Sequence, residues 1–316
     1  MRIIGAGLAG LLAGAMLRHK VTNIYEAQPG LPNNHSAVLR FRSPVVGEVL
    51  NIPFKKVMAL KATQPWQNPI ADALAYSAKT NGGYALRSIL SADGKVSERY
   101  IAPGDLIAQM AQAQQAEIKF DQLIDDGIIA MAGPESPVIS TIPMPALMNI
   151  LGWERSSEFR SRRGLNIVGT VAGAEAYCSL YVPDPLLPFS RVSLTGDQLI
   201  VECSQEFLDE VDAAPEMDRP HKVREALLAA LHLMGLDGVE LSYEAIPQKY
   251  AKILPIDEDE RRAFIMWASS TYNIWSLGRF ATWRPGLLLD DVVKDVRVIQ
   301  RLIAKRGEAY HHNLKD

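Results

Sequence analysis

Cysteine is scarce: Cys178 and Cys203 are the only two in 316 residues. Two thiols so far apart make neither a disulfide framework nor a metal-ligand set. Both stand in apolar, strand-like runs, the setting of buried thiols in a reducing compartment, so a cytoplasmic location is expected. No apolar run reaches bilayer-spanning length, and the first strand begins too near Met1 to leave room for a signal segment, so no membrane partner is expected. Blocks of like charge are also missing. Lys and Arg number 33 against 36 Asp and Glu, a net charge of −3, so overall charge does not indicate a nucleic-acid partner. Arg160, Arg162 and Arg163 are the one local cluster, readable as a solvated loop or a basic groove. There is no G-x-S-x-G, H-E-x-x-H, P-loop or C-x-x-C, which removes support for serine-hydrolase and metal chemistry. Repeats and low-complexity stretches are absent too.

What is present suits a folded α/β protein. Residues are 48% hydrophobic and 22% charged, ordinary values for a globular chain, and the length accommodates two lobes. Gly5–Gly10 reads GAGLAG, a G-x-G-x-x-G turn. Gly5 permits a tight turn out of a strand, Gly7 lets backbone approach a diphosphate, and Gly10 lets the next helix pack closely. The helix N-terminus, from Leu8 and Ala9 on, then offers N–H groups and partial positive charge to the anion. The context agrees: Arg2-Ile3-Ile4 is a strand stub, Leu11–Arg18 has helical composition, and Val21–Tyr25 is a second strand ending at Glu26. An acid there is where a ribose hydroxyl is gripped.

Further along, Ile70–Lys79 and Pro103–Gln115 read as helices and Glu117–Ile129 as short strands. Pro137–Ile142 (PVISTI) is a buried strand ending at Thr141, followed by a helix over Ala146–Leu151. From Leu165 to Glu202 strand-like runs recur with turns between them, which is antiparallel sheet. Arg219–Gly235 is an amphipathic helix. Residues 263–283 read as strands and a turn, and Leu287–Lys305 as a long helix. The order is nucleotide-type α/β, an antiparallel insertion, then α/β again, with a cleft between two lobes where small molecules bind.

Three segments together resemble one family. They are IIGAGLAGLLAGAML through IYE, VISTIPMPALMNILGW, and NIWSLGRFATWRPGLLLDDVVKDV. Their order and spacing are similar to those of the FAD-dependent amine oxidase, protoporphyrinogen oxidase and UDP-galactopyranose mutase superfamily. The stretch SLYVPDPLLPFSRVSLTGDQLIVE resembles substrate-lobe strands of its mutase-like members. The resemblance implies FAD as cofactor. It also implies an α/β fold: a Rossmann-like FAD-binding lobe over residues 1–56, 101–155 and 250–316, with an inserted antiparallel-sheet substrate lobe over 57–100 and 156–249. Gly5, Ala6, Gly7, Leu8, Ala9, Gly10 and Glu26 would hold the ADP half. Gly278 and Arg279 would hold the ribityl-phosphate arm, with Thr141 and Arg40 as further contacts. Where the family carries a Gly-Gly-Arg loop, this chain has Asn33–Ala37, followed by Arg40 and Arg42.

The candidate catalytic residues are His35, Tyr272 and Trp275. His35 is the only histidine near the cofactor segments. Tyr272, Trp275 and Trp283 flank the Gly-Arg turn, where aromatic walls exclude water, although core packing explains them equally well. Arg191 and Tyr250 are candidates for anchoring a substrate carboxylate or phosphate. The resemblance implies an FAD-dependent oxidoreductase, or lyase in net outcome, acting on the CH–N bond of an amine or amino-acid-type substrate. One compact variant acts on amino acids attached to thymine in phage DNA, which would make the substrate a modified base and the location a host cytoplasm. The alternatives are a redox-neutral mutase-like sugar-nucleotide enzyme, a flavin-binding protein without chemistry, and a NAD-dependent reductase.

Overall fold

The computed structural model describes residues 1–31, 40–64, 68–83, 89, 92–133 and 135–313. In chain order these form β1 (Arg2–Ile4), α1 (Leu8–Leu17), β2 (Asn23–Tyr25), β3 (Arg40–Phe41), α2 (Val45–Leu50), β4 (Lys55–Thr63), α3 (Pro69–Asn81), β5 (Asp93–Ile101), α4 (Leu106–Gln112), β6 (Glu117–Lys119), α5 (Gly127–Met131) and β7 (Val138–Ser140). There follow α6 (Met144–Leu151), β8 (Ser161–Thr170), β9 (Ala176–Tyr181), β10 (Phe189–Gly196), β11 (Gln198–Cys203), α7 (Gln205–Ala213), α8 (Arg219–Leu233), β12 (Tyr243–Ile253), α9 (Glu258–Tyr272), β13 (Ile274–Ser276) and α10 (Leu289–Asn313).

Five short strands pair in parallel in the order β13-β7-β1-β2-β6. Parallel strands must be covered on both faces, and alternation along each strand divides the apolar residues between two cores. Ile3, Ile24 and Ile139 meet Leu11 of α1, Met110 of α4 and Val293 of α10 on one side. Ile4, Val138 and Ile274 meet Leu147 of α6 and Phe264 of α9 on the other. All five strands point the same way. The residues that follow their C-terminal ends, Gly5, Glu26, Thr141 and Leu277-Gly278, therefore emerge at one edge, where ligands of such sheets bind.

The second sheet has eight strands in the order β12-β8-β11-β10-β9-β4-β5-β3. It is antiparallel except where β4 runs parallel to β9. One face is apolar: Ile167, Val192, Leu199 and Val201 pack on Phe207 and Leu208 of α7 and Leu227 and Leu231 of α8. The opposite face carries Asn166, Ser179, Arg191, Ser193 and Glu202, matched across strands by the register Arg191↔Glu202, Ser193↔Ser179 and Glu202↔Asn166. The sheet curls around this polar face. Arg40 on the edge strand β3 donates from Nε to Thr195 Oγ1 of β10 at 3.0 Å, although β9, β4 and β5 separate the two strands in the sheet.

Several expectations need correction. Residues 263–272, read as strand, belong to α9. Asp257 Oδ1 accepts the Glu260 N–H, Glu258, Asp259 and Glu260 fill the first turn, and Asn273 closes the helix in the left-handed conformation. Arg261 and Arg262 add i+3 and i+4 pairs to Glu258. These are helix signals that a β-like apolar run (AFIMW) obscured. Within Glu117–Ile129 only β6 is strand, and Gly127 begins α5. The lobe limits differ as well: Arg40–Phe41 and Lys55–Lys56 pair in the curled sheet, and β12 continues past 250 to Ile253. Among the described residues no helix is long and apolar enough to cross a membrane.

Candidate functional site

The glycine loop closes on its neighbours with no side chain to spare. Gly5 has φ +95° and donates its N–H to Tyr25 O at 2.7 Å. A Cβ there would collide with the Thr141 hydroxyl, which sits beside it because Thr141 N and Oγ1 both donate to Ile4 O at 2.9 Å. A Cβ on Gly10 would run into Gly5 O. Gly7 differs: among the described residues nothing lies within 4 Å of where its Cβ would be. It caps α1 without a side chain, and the first turn holds no acid. The opening N–H groups of that helix lack intrahelical acceptors and stand at the positive end of the dipole, a fit for a phosphate.

Two further segments reach this edge. Glu26 accepts the Ala6 N–H on Oε2 at 2.7 Å and the Gln28 N–H on Oε1 at 3.0 Å, so its charge lies beside the loop with lone pairs to spare. Gly278 has φ +91°, and a Cβ on it would stand 2.8 Å from Ala9 Cβ. Its carbonyl accepts the Thr282 hydroxyl at 2.7 Å. The adjoining Arg279 guanidinium lies 5.5 Å from the Phe280 ring centre. Gly5–Gly10, Glu26, Thr141 and Gly278 are thus brought together, with Arg279 next in the chain to Gly278.

Other candidates are not. Tyr272 ends α9 and precedes β13, which puts it at the N-terminal edge of the parallel sheet, opposite the loop; its ring packs edge-on against Trp267 at 5.1 Å. Trp275 lies within β13, and its indole N–H donates to Asn273 Oδ1 at 2.8 Å. Trp283 is 2% exposed, donates to Leu254 O and packs on Phe159; core packing accounts for it. Tyr250 packs on Phe280. Arg40 donates to Thr195, Ser179 and Cys178 of the curled sheet, and Arg42 is exposed. His35 lies outside the described residues.

Sequence reasoning missed the polar face of the curled sheet apart from Arg191 and Arg40, the latter read as a cofactor contact. Arg191 pairs with Glu202, which also binds Lys252 at 3.2 Å. Burial alone pushes the Glu202 carboxyl up, but the Arg191 and Lys252 charges outweigh it and hold it near 2. Arg191 is raised in turn: burial pulls it down, and Glu202 more than reverses that. Tyr181 stands opposite Arg191, 5.8 Å from guanidinium to ring centre. The available signal was a period-two polar pattern, Tyr177-Ser179-Tyr181 and Arg191-Ser193-Thr195, inside apolar strands. A surface cleft of about 450 Å³ at the starts of α9 and α10 is lined by none of the loop residues. Its charged walls pair with each other, Arg261 with Glu258 and Arg284 with Asp295. Among the described residues no group of His, Cys, Asp and Glu could hold a metal.

No family model matches the chain, and no curated protein matches it in sequence. Solved structures do match in three dimensions. A reduced UDP-galactopyranose mutase superposes with a TM-score of 0.66 at 14% identity, covering 96% of this chain and 93% of that one. A protein assigned as a protoporphyrinogen oxidase from Exiguobacterium sp. gives 0.59 at 9% identity, covering 96% and 98%. A ternary complex of aklavinone-11 hydroxylase with FAD and aklavinone gives 0.52 at 14% identity, covering 98% and 62%. The chain therefore has the fold of these flavoproteins, a Rossmann-like lobe carrying a nucleotide-type loop joined to a curled, mainly antiparallel second sheet.

Proposed function

We propose that the protein is an FAD-dependent enzyme that oxidises the CH–N bond of an amino-acid-type substrate, of which an amino acid attached to thymine in DNA is one form. The observation that carries the FAD reading is the open space at Gly7, which caps α1, with Gly278 pressed on Ala9 beside it. The residues fit the cofactor. The α1 N-terminus takes the diphosphate, Glu26 a ribose hydroxyl, and Gly278-Arg279 the ribityl-phosphate arm. Bound FAD would supply the two-electron acceptor. The chain's own part is to hold the substrate carbon against it and keep water out. The polar face of the curled sheet is suited to orienting the substrate, and Tyr76 of α3, ring to ring with Tyr181 at 5.7 Å, covers one end of that face. A substrate amine that binds neutral needs no protein base.

A mutase-like, redox-neutral reaction on a sugar nucleotide is the second reading. It is favoured by the cationic polar face, which suits a diphosphate, and by the likeness to the mutase. One experiment separates the two. Purified protein is reconstituted with FAD and mixed anaerobically with amino acids, amino-acid conjugates of thymidine, or a sugar nucleotide. Bleaching of the flavin absorbance without added reductant supports oxidation. Turnover only after dithionite supports the mutase reading. Protein that stays colourless with excess FAD removes both.

A further inference from the structure

Arg40 is the least expected residue of the curled sheet. It starts on β3, one residue before Phe41, which belongs to the core shared with α1 and α10. Its side chain crosses the inside of the curl and donates to three neutral oxygens: Thr195 Oγ1 at 3.0 Å, Cys178 O at 2.7 Å and Ser179 Oγ at 2.9 Å. Ser179 in turn meets Ser193 Oγ at 2.6 Å. One step along the same face stand Tyr181 and Arg191, and Lys61 faces the face from β4, where it registers with Ser179. Arg99 on β5 lies on the same side as its β3 neighbour Arg40, through the pair Arg40↔Ile101.

These cations crowd one another. Desolvation first, and then the Arg191 charge, pull Arg40 down to about 10. Lys61 is lowered too, by burial and by Arg99, Arg191 and Arg40. A half-buried guanidinium among like charges is costly unless an anion answers it. Among the described residues no carboxylate pairs with Arg40, Lys61 or Arg99, and Glu202 is already shared by Arg191 and Lys252. Arg191 Nε is buried without a hydrogen-bond partner. Of the residues outside the description, 32–39, 65–67, 84–88, 90–91 and 134 contain no Asp or Glu, and the only acid is Asp316 at the end of the sequence. Among the described residues no anion answers Arg40, Lys61 or Arg99, which leaves the face suited to one brought by a ligand.

We infer that the inside of the curled sheet binds an oxyanion of the substrate, a phosphate or a carboxylate, through Arg40, Lys61, Arg99 and Arg191, with the Tyr181 hydroxyl beside them. Arg40 and Arg191 give directional donors on the floor, while Lys61 and Arg99 add charge at its margin. The inference rests on the flavoenzyme reading only in calling the anion part of a substrate. It disfavours a purely cationic amine, which this face would repel, and gives an uncharged one no anchoring group. An amino acid keeps its carboxylate and a nucleotide its phosphates, so either is accepted.

The test uses the full chain with its FAD content measured beforehand. Inorganic pyrophosphate and succinate are titrated separately at low ionic strength, with tryptophan fluorescence and thermal shift as readouts. Lys61→Gln and Arg99→Gln alter half-buried side chains without ion pairs, so the fold persists, which circular dichroism checks. Arg163→Gln, on the far side of β8 and paired with Asp209 and Asp212, serves as the control. The expected result is saturable binding of one probe, weakened about tenfold or more by each of the first two substitutions, a loss of ~1.4 kcal/mol, and unchanged by the third. Tighter pyrophosphate marks a phosphorylated substrate, and tighter succinate a carboxylate. Protein that holds FAD but responds to neither probe, or whose Lys61→Gln and Arg99→Gln variants bind like wild type, overturns the inference and leaves the flavoenzyme reading intact. Protein that refuses FAD yet binds pyrophosphate through Lys61 and Arg99 overturns that reading and keeps this one.

Discussion

Gly278 meets Ala9 so closely that a single carbon on Gly278 would come within 2.8 Å of the alanine methyl. The contact joins the turn before the last helix to the first turn of the first helix. It sets the position of the α1 N-terminus, which is the anion-binding end. Gly278 also has φ +91°, where an L-residue is strained by about 1–2 kcal/mol. Gly278→Ala should therefore lower the melting temperature by a few degrees and, by pushing α1 aside, weaken FAD retention by an order of magnitude or more. Flavin stoichiometry after dialysis and a melting curve check both. A variant that keeps full flavin would mean that the turn does not govern the loop.

Two glycines of the same loop should behave in opposite ways. Gly10→Ala drives a methyl into Gly5 O, so the protein without cofactor should lose about 2 kcal/mol or more. Gly7→Ala meets nothing, and its φ of −70° suits alanine. The cofactor-free protein should then be as stable as wild type within about 0.5 kcal/mol, or slightly more stable because the unfolded chain loses freedom. Only FAD binding should suffer, by about tenfold. Urea unfolding of the apo forms alongside FAD titration tests the pair. Equal destabilisation of both apo proteins contradicts the open space at Gly7.

Glu26→Gln keeps the shape but removes the charge that accepts the Ala6 and Gln28 N–H groups. Charge-assisted hydrogen bonds are worth about 1.5–3 kcal/mol. FAD affinity should fall about tenfold, and Glu26→Ala should do worse. An unchanged dissociation constant for Glu26→Gln would separate this carboxylate from the cofactor.

How much of this was legible beforehand follows from the range of the interactions. The loop, Glu26 and the PVIST strand could be read because turn chemistry, caps and strand ends act over a few residues. The Gly278-Arg279 turn needed the spacing of distant segments as well. The α9 error was local and avoidable: Asp257 and three acids before an apolar run are a helix start. Tyr272 drew attention by its nearness in sequence to the Gly-Arg turn, but α9 ends at it and β13 follows, so it stands at the opposite end of the parallel sheet. The cationic face could not have been read. Arg40 and Thr195 are 155 residues apart in sequence, and only the curl of an eight-stranded sheet brings them together. Nothing in composition reveals curvature.

Tyr272 and Trp275 carry a prediction of their own. Tyr272→Phe removes only a hydroxyl from a ring packed on Trp267, and Trp275→Phe frees Asn273 Oδ1, whose side-chain amide still binds Gly133 O. Both should leave flavin content and the KM of any substrate within about twofold, with stability losses of about 1 kcal/mol. A large fall in kcat for either, at full flavin occupancy, would restore it to the site.

The last prediction concerns acid. Glu260 is buried in the first turn of α9, and its carboxylate accepts the Ser156 N–H at 2.7 Å and the Ser157 N–H at 2.6 Å. Burial would raise this group, yet the bonds from Ser157 and Ser156 outweigh it and hold the carboxyl at about 2. Its folded value lies below its unfolded one, near 4.5, so the stability it contributes is complete above that pH and is lost as pH falls towards 2. Glu260→Gln should cost about 2 kcal/mol at pH 7. The gap to wild type should narrow steadily below pH 4.5 and nearly close at pH 2. Urea midpoints of both proteins across that range measure it. A gap of constant size would mean that the charge of Glu260, as opposed to its shape, holds the 156–157 segment on no account.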